Sequence, residues 1–392
     1  MDITRAVQSL YERYPFPPDP LSDKPPPGWN WRWSYSFAHS FCLGWRPEPR
    51  PIRILDAGCG TGVSTEYLAV QNPEAQVTAI DISEASLAVA KRRCAGYANV
   101  QFAQMSLTDA GSLEGSFDLI NCVGVLHHLA DPKAGLAALA AKLAPGGLLH
   151  IFVYGELGRW EIRLMQEAIR LLRDGRDPLA DGLQVGRALF GALPEDNRLK
   201  LADRRWVLEN HHDACFVDMY VQVQEIRYTI PTLFDLIASS GLEFLGFSNP
   251  GFWRLERLVG KAPWLLERAA ALLDKERFRL IELLDPVVAH YEFFLGAPPL
   301  ERLEMGDDWL DAALPVRSPH IYPWPERQVF DHEYELVTLS EAEVAFLERC
   351  DGRQTLGQLR GDIAQARIRE LLEHFLLQLA PPPGLLSSKM RV

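Results

Sequence analysis

Residues 54–62 read Ile54-Leu55-Asp56-Ala57-Gly58-Cys59-Gly60-Thr61-Gly62. An apolar stretch runs into a loop with glycine at three alternate positions. The apolar part predicts a buried strand, and the glycines permit positive φ and close approach of a ligand to the backbone. A helix starting near Ser64 would point its N-terminal N–H groups toward that ligand. A dinucleotide fingerprint of the form G-x-G-x-x-G would need glycine at 63, where Val63 stands. Here the third glycine comes one residue earlier, and an aspartate precedes the loop.

Outward from this loop, strand-like and helical stretches alternate. Strands are expected at 52–56, 76–81, 100–103, 117–122 and 148–154. Asp131-Pro132 opens one intervening helix as N-cap and first-turn proline, with Leu136, Leu139 and Leu143 on one face. Pro145-Gly146-Gly147 stops it. Such alternation implies an α/β fold, a Rossmann-like parallel sheet covered on both sides. Beyond 154 come a helix over 160–173 with Leu164, Ala168 and Leu172 on its apolar face, a helix over 231–240, and a strand over 242–247. A helical stretch over 252–285 and a last strand over 290–295 follow. The sheet domain is therefore expected over 48–300, with core segments 50–155, 228–248 and 288–297 and insertions 156–227 and 249–287.

The flanks differ from this domain. Ten of the 39 aromatics lie in the first 45 residues, between the proline-rich pieces Pro15-Phe16-Pro17-Pro18 and Pro25-Pro26-Pro27-Gly28. Prolines break regular structure while the aromatics seek burial, so residues 1–47 read as an irregular arm wrapped on the core, with or without a role in covering a ligand. Residues 301–392 read as a separate module, winged-helix-like from about 331. It holds a strand over 333–338, capping boxes at Ser340-Glu341-Ala342-Glu343 and Thr355-Leu356-Gly357-Gln358, and a third helix bearing Ile368, Leu371 and Leu372. The end after Leu379 is expected to fray.

Composition excludes several classes. Apolar residues make up 47% and charged residues 23%, which rules out a disordered, collagenous or coiled-coil chain. A net charge of −12 argues against a large nucleic-acid or anionic-membrane footprint. No long uncharged apolar window predicts a membrane span, and Met1-Asp2-Ile3-Thr4-Arg5 lacks a signal-peptide pattern, so a cytoplasmic protein is expected. Six cysteines without a C-x-x-C pair read as reduced thiols rather than disulfides or a metal site. The neighbours His211 and His212 diverge on a helix or a strand, which makes them poor joint metal ligands.

Four motifs in order carry a resemblance. They are Asp56–Gly62, Asp81 at the end of the second strand, Cys122-Val123-Gly124-Val125-Leu126-His127-His128-Leu129 after the fourth, and Pro145-Gly146-Gly147-Leu148-Leu149 before the fifth. Together they resemble the class I S-adenosylmethionine-dependent methyltransferases, closely over 50–155 and more loosely over 228–248. The resemblance implies an enzyme with S-adenosyl-L-methionine as cofactor and S-adenosyl-L-homocysteine as product. It assigns Asp56, Gly58, Cys59, Gly60 and Gly62 to the cofactor loop, Asp81 to the ribose hydroxyls and Ile82 to the adenine face. Asn121 would hold the methionine end. The acidic residue that the family often carries after the third strand is replaced by Ser106, so Ser106 and Leu107 are the candidates at the adenine edge. Groups leaving strands four and five face the acceptor, which makes Glu156, Tyr154, His127 and His128 the candidate catalytic residues.

The acceptor is read from the flanks. Tyr11-Glu12-Arg13-Tyr14-Pro15-Phe16-Pro17-Pro18, Tyr154-Gly155-Glu156-Leu157-Gly158-Arg159-Trp160 and Gly241-Leu242-Glu243-Phe244-Leu245-Gly246-Phe247-Ser248 are similar to a cyanobacterial-type group of methyltransferases. Within it, the likeness to phycobiliprotein asparagine N-methyltransferases implies a protein substrate, a phycobiliprotein β-subunit methylated on a side-chain amide. The chain departs from the Asn-Pro-Pro-Tyr often used for amide nitrogen, having Asn121-Cys122-Val123-Gly124 instead. A quinone, pigment precursor or secondary metabolite stays open as acceptor, as does a non-catalytic cofactor-binding assembly factor.

Overall fold

A computed structural model describes residues 2–26, 29–206, 209–303 and 307–382. Pro27 and Gly28 of the second proline-rich piece, and most of the expected frayed end, lie outside the described residues; Ala380 still belongs to a strand. The chain divides into two compact units, 1–25 with 52–298 and 26–51 with 299–392. The arm expected over 1–47 is thus shared between them. Its two parts bury different side chains: Leu10 packs against Ile162, Met165 and Phe216 in the first unit, whereas Trp31, Phe37 and Phe41 surround Phe375 in the second.

Two helices precede the sheet, α1 (Ile3–Arg13) in the first unit and α2 (Tyr35–Leu43) in the second. The first unit is built on a seven-stranded sheet: β1 (Arg53–Ala57), β2 (Gln76–Asp81), β3 (Val100–Gln104), β4 (Phe117–Val123), β5 (Leu143–Tyr154), β6 (Glu243–Phe247) and β7 (His290–Gly296). Their order is β3-β2-β1-β4-β5-β7-β6, with β7 antiparallel to both neighbours. Leu55, Ile120, Leu149, Ile151, Val153, Phe293 and Leu295 are fully buried, as strands covered on both faces require. Between strands lie α3 (Val63–Gln71), α4 (Glu84–Arg93) and α5 (Pro132–Ala140). Asp131 caps α5 as its sequence predicts, and Leu136 and Leu139 are buried. Leu143 is not on that helix. It opens β5, and three extra residues between its pairing with Phe117 and that of Leu148 with Leu119 let Pro145-Gly146-Gly147 bulge out of the ladder.

The first insertion carries α6 (Trp160–Leu172), α7 (Pro178–Ala192), α8 (Arg198–Asp203) and α9 (Asp213–Tyr220); α10 (Ile230–Ala238) returns to the sheet. The face of α6 that is buried is Ile162, Met165 and Ile169 rather than Leu164, Ala168 and Leu172. Both stripes have helical spacing; the partners Leu10 and Val217 select the first, and Leu172 is left exposed.

The second unit closes on its own core of Leu310, Val329, Leu339, Phe346, Leu356, Ile368 and Leu371. It contains β8 (Leu314–Arg317), β9 (Gln328–Phe330), β10 (Leu336–Thr338) and β11 (Leu377–Ala380), paired antiparallel as β9 with β10 and β8 with β11. The expected strand over 333–338 is shortened because Asp331 takes the N–H groups of Glu333 and Glu335 into a turn. Both capping boxes form, at Ser340 and Thr355. After the third helix, Gln365–Glu373, the described chain makes one strand, β11, which pairs with β8.

Burial pulls the imidazoles of His39 and His320 in this unit down to about 4. The unfolded chain then binds more protons than the folded one between about 6.5 and 4, so stability is full above that window and falls as pH drops through it. The expected slope from His39 is at most about 1.4 kcal/mol per pH unit. Denaturant melts at pH 7, 6 and 5 check this, with His39→Gln giving the shallower dependence.

Candidate active site

The loop after β1 is held tightly. Gly58 and Cys59 donate their N–H groups to Ile80 O, Gly60 to Asp81 Oδ2 at 2.8 Å, Thr61 to Phe16 O and Gly62 to Cys59 O. Gly60 has φ +52°, and a Cβ there would lie 2.4 Å from the Phe16 carbonyl, so only glycine fits. All five loop amides are therefore taken within the protein. This leaves the loop itself unsuited to cradling a pyrophosphate.

Asp81 stands at the C-terminal end of β2. One carboxylate oxygen takes the Gly60 N–H and the other the Ser83 N–H. Each oxygen keeps a lone pair for a further donor. Burial raises its pKa, and those two N–H groups oppose the rise. Ile82, half-buried, follows it, with its carbonyl accepting from Gln8 and Gln104. Ser106 bonds Thr108, and the Leu107 side chain belongs to the core.

Asp56 and Asn121 are each only 1% exposed. Asp56 accepts from Ser64 and Thr65 of α3 at 2.7 and 2.6 Å and from Asn121 of β4 at 2.8 Å. Burial raises its pKa against these donors. Both side chains thus hydrogen-bond beneath the loop.

The first part of the arm packs on the loop, Phe16 O taking the Thr61 N–H and Pro17 O the Thr61 hydroxyl. Glu12 of α1 accepts the N–H groups of Glu84 and Ala85 and so caps α4. Arg93 of α4, buried, donates to Thr61 O of the loop and to Asp19 O and Pro20 O of the arm, while facing Glu66 at 3.5 Å.

Past the ends of β4 and β5, under α1, lies a buried polar cluster. His127 is fully buried and stacks on the Tyr154 ring at 3.9 Å between centroids. Neither of its ring nitrogens has a partner among the described residues. Burial first, then His128 and Arg159, push its pKa well below the ordinary value, so the ring is neutral. The His128 Nδ1 bonds Gln224 O at 2.7 Å. Tyr11 of α1 donates to Asp218 of α9 at 2.8 Å, and Gln222 bonds both. Burial and then the nearby Asp218 carboxylate raise the Tyr154 hydroxyl far above its ordinary value. The Arg159 guanidinium lies over the Tyr154 ring, 3.5 Å from its centroid, and pairs with Glu225 at 3.0 Å. Glu225 also pairs with Arg227.

Three of the four expected catalytic residues, Tyr154, His127 and His128, therefore meet. Glu156 does not join them. The chain turns into a short 3₁₀ segment there, and its side chain is exposed. Asp218, Gln222 and Arg159 are additions that spacing did not signal; Asp218 lies on α9, Gln222 just beyond its end and Arg159 at the end of a short 3₁₀ segment. The His211-His212-Asp213 stretch stays apart, with Asp213 bonded to Arg187. No group of three or more potential metal ligands occurs among the described residues.

Comparison with known proteins fits this geometry. Residues 55–149 match the model of a methyltransferase domain. The fold resembles that of PKMT2 from Rickettsia typhi, with a TM-score of 0.63, 17% identity, and coverage of 91% of this chain and 76% of that one. Sheet order, glycine loop and domain match define the class, a class I S-adenosylmethionine-dependent methyltransferase. More narrowly, the chain belongs to the family of an uncharacterized protein of Synechococcus sp., to which it is 53% identical over 391 residues, covering 97% of this chain and 94% of the relative. An uncharacterized phycocyanin operon protein W of Pseudanabaena tenuis is 65% identical over 89 residues, 23% of this chain and 84% of its own length.

Arg93→Met removes the donors that tie arm to loop. Limited proteolysis should then cut within residues 14–25 faster than in the parent, by about fivefold or more if one charged hydrogen bond's worth of docking is lost.

Proposed function

We propose that this enzyme methylates the side-chain amide nitrogen of an asparagine in a phycobiliprotein β-subunit. The observation that carries the protein substrate is the 65% identity to a protein of the phycocyanin operon. The absence of any described helix long and apolar enough to cross a membrane, and the net negative charge, accord with a protein partner rather than a membrane or a nucleic acid.

In this reading Asp81 accepts hydrogen bonds from the ribose hydroxyls, and Ile82 packs on the adenine beside the backbone of Ser106 and Leu107. Gly58, Cys59 and Gly60 give close approach, while Asp56, Gly62 and Asn121 hold that loop. A ligand with a sulfonium in place of phosphates suits a loop whose amides are already taken. S-adenosylmethionine supplies an electrophilic methyl group when bound.

An amide nitrogen is a poor nucleophile because its lone pair is delocalised, so position and fixed polar partners must carry the catalysis. Neutral His127 offers one N–H and one lone pair on diverging sides of its ring, both buried and without a partner among the described residues, so one of them can meet a carboxamide, the N–H at its carbonyl or the lone pair at its NH₂. As the N–C bond forms and the S–C bond breaks, the nitrogen becomes strongly acidic, and even a weakened imidazole takes its proton. Tyr154 fixes the ring by stacking, and His128 and Asp218 close the cluster. A small-molecule acceptor is the second reading, favoured by the enclosure of this cluster beneath α1.

Labelled S-adenosylmethionine given to undermethylated phycobiliprotein should label the β-subunit, with the label on one asparagine by peptide mass spectrometry. Label confined to small molecules from the extract would establish the second reading instead. Asp81→Ala should weaken cofactor binding by about 1–3 kcal/mol in calorimetry. His127→Ala should lower turnover about a hundredfold with cofactor affinity unchanged. Glu156→Gln should leave both at parental values, in keeping with its exposure.

A further inference from the structure

A line of polar side chains crosses the apolar sheet. Asp56 of β1 is in register with Asn121 of β4, and Asn121 with His150 of β5. His150, fully buried and stacked on Phe294, places Nδ1 2.8 Å from Asn121 Oδ1 and Nε2 3.1 Å from Glu292 Oε1 on β7. Ser248, just past β6, donates to the other Glu292 oxygen at 2.7 Å. The line thus runs from the glycine loop to the far edge of the sheet.

The donors and acceptors along it are forced. Asp56, with Ser64 and Thr65 donating to one oxygen, can only accept at the other, so the Asn121 NH₂ must face it. The Asn121 carbonyl oxygen then faces His150, whose Nδ1 must carry a hydrogen. That hydrogen excludes the opposite amide orientation, which would set the Asn121 oxygen against the Asp56 carboxylate. Glu292 accepts in turn from an N–H at Nε2, which holds the ring so that Nδ1 meets Asn121.

We propose that His150 and Glu292 are positioning residues for cofactor binding. They lock the Asn121 amide, and through it the Asp56 carboxylate that ties the end of β1 to the first turn of α3 and so sets the glycine loop. Neither residue touches the cofactor. The assignment requires cofactor binding at the loop and is independent of the acceptor.

The test uses the full chain. His150→Phe keeps a ring against Phe294 and loses both nitrogens. It should weaken S-adenosylmethionine binding about tenfold by calorimetry and shift the Gly58–Gly62 amide signals of the cofactor-free protein in ¹H–¹⁵N spectra. A folded variant with affinity within about twofold of the parent and unshifted loop amides, whatever its melting temperature, overturns the proposal. Should His150→Phe fail to fold, Glu292→Leu and Glu292→Gln decide. The amide introduced by Glu292→Gln can donate to the lone pair of an Nε2 without its hydrogen while Nδ1–H still meets Asn121. Weaker binding in Glu292→Leu that is restored in Glu292→Gln supports the lock, and equal affinity in the two overturns it.

Discussion

The buried carboxylate of Asp56 is the constraint on which this molecule turns. One side chain, almost without access to water, ties the end of β1, the first turn of α3 and the end of β4. A buried carboxylate is tolerated only when donors replace its lost hydration, and three do so here. Those donors lie on separate elements, so satisfying the charge also fixes their relative placement. The glycine loop has to bridge what Asp56 holds, and its tight, fully hydrogen-bonded form follows.

Above the loop the same logic is repeated with the arm. α1 meets the sheet domain through polar side chains on one side and through Leu10 on the other. Glu12 reaches α4, and Tyr11 reaches Asp218 on α9. A single helix of eleven residues thereby joins α4, beside Asp81, to α9 of the insertion. The first insertion supplies both of Tyr11's partners in the buried cluster, Asp218 from α9 and Gln222 from the segment just after it.

The sheet was legible in the sequence because its strands are apolar runs ended by glycine or aspartate, and because buried strands leave few alternatives. Errors arose where two readings had equal local merit. On α6, two apolar stripes share one spacing, and only the partners Leu10 and Val217 distinguish them. At Leu143, helix and strand were both open until the bulge at Pro145-Gly146-Gly147 was seen. In the site, Asp81, His127, His128 and Tyr154 stand next to strand ends, where a short-range pattern places them. Glu156 stands apart from that cluster because the chain leaves strand geometry one residue before it. Asp218 and Gln222 come to Tyr11 across more than 200 residues, a separation that no local pattern encodes.

The strand order also has a consequence for how the chain is made. β7 lies between β5 and β6, so β6 has no place in the sheet while the last strand is still unsynthesised. A ribosome delivering this chain exposes an incomplete sheet edge at β5 until residues 290–296 emerge. Glu292 arrives on that same strand. The first five strands can hold the loop's backbone, but the side chain that closes the polar line comes last. Assembly of the site is therefore tied to completion of the whole catalytic unit.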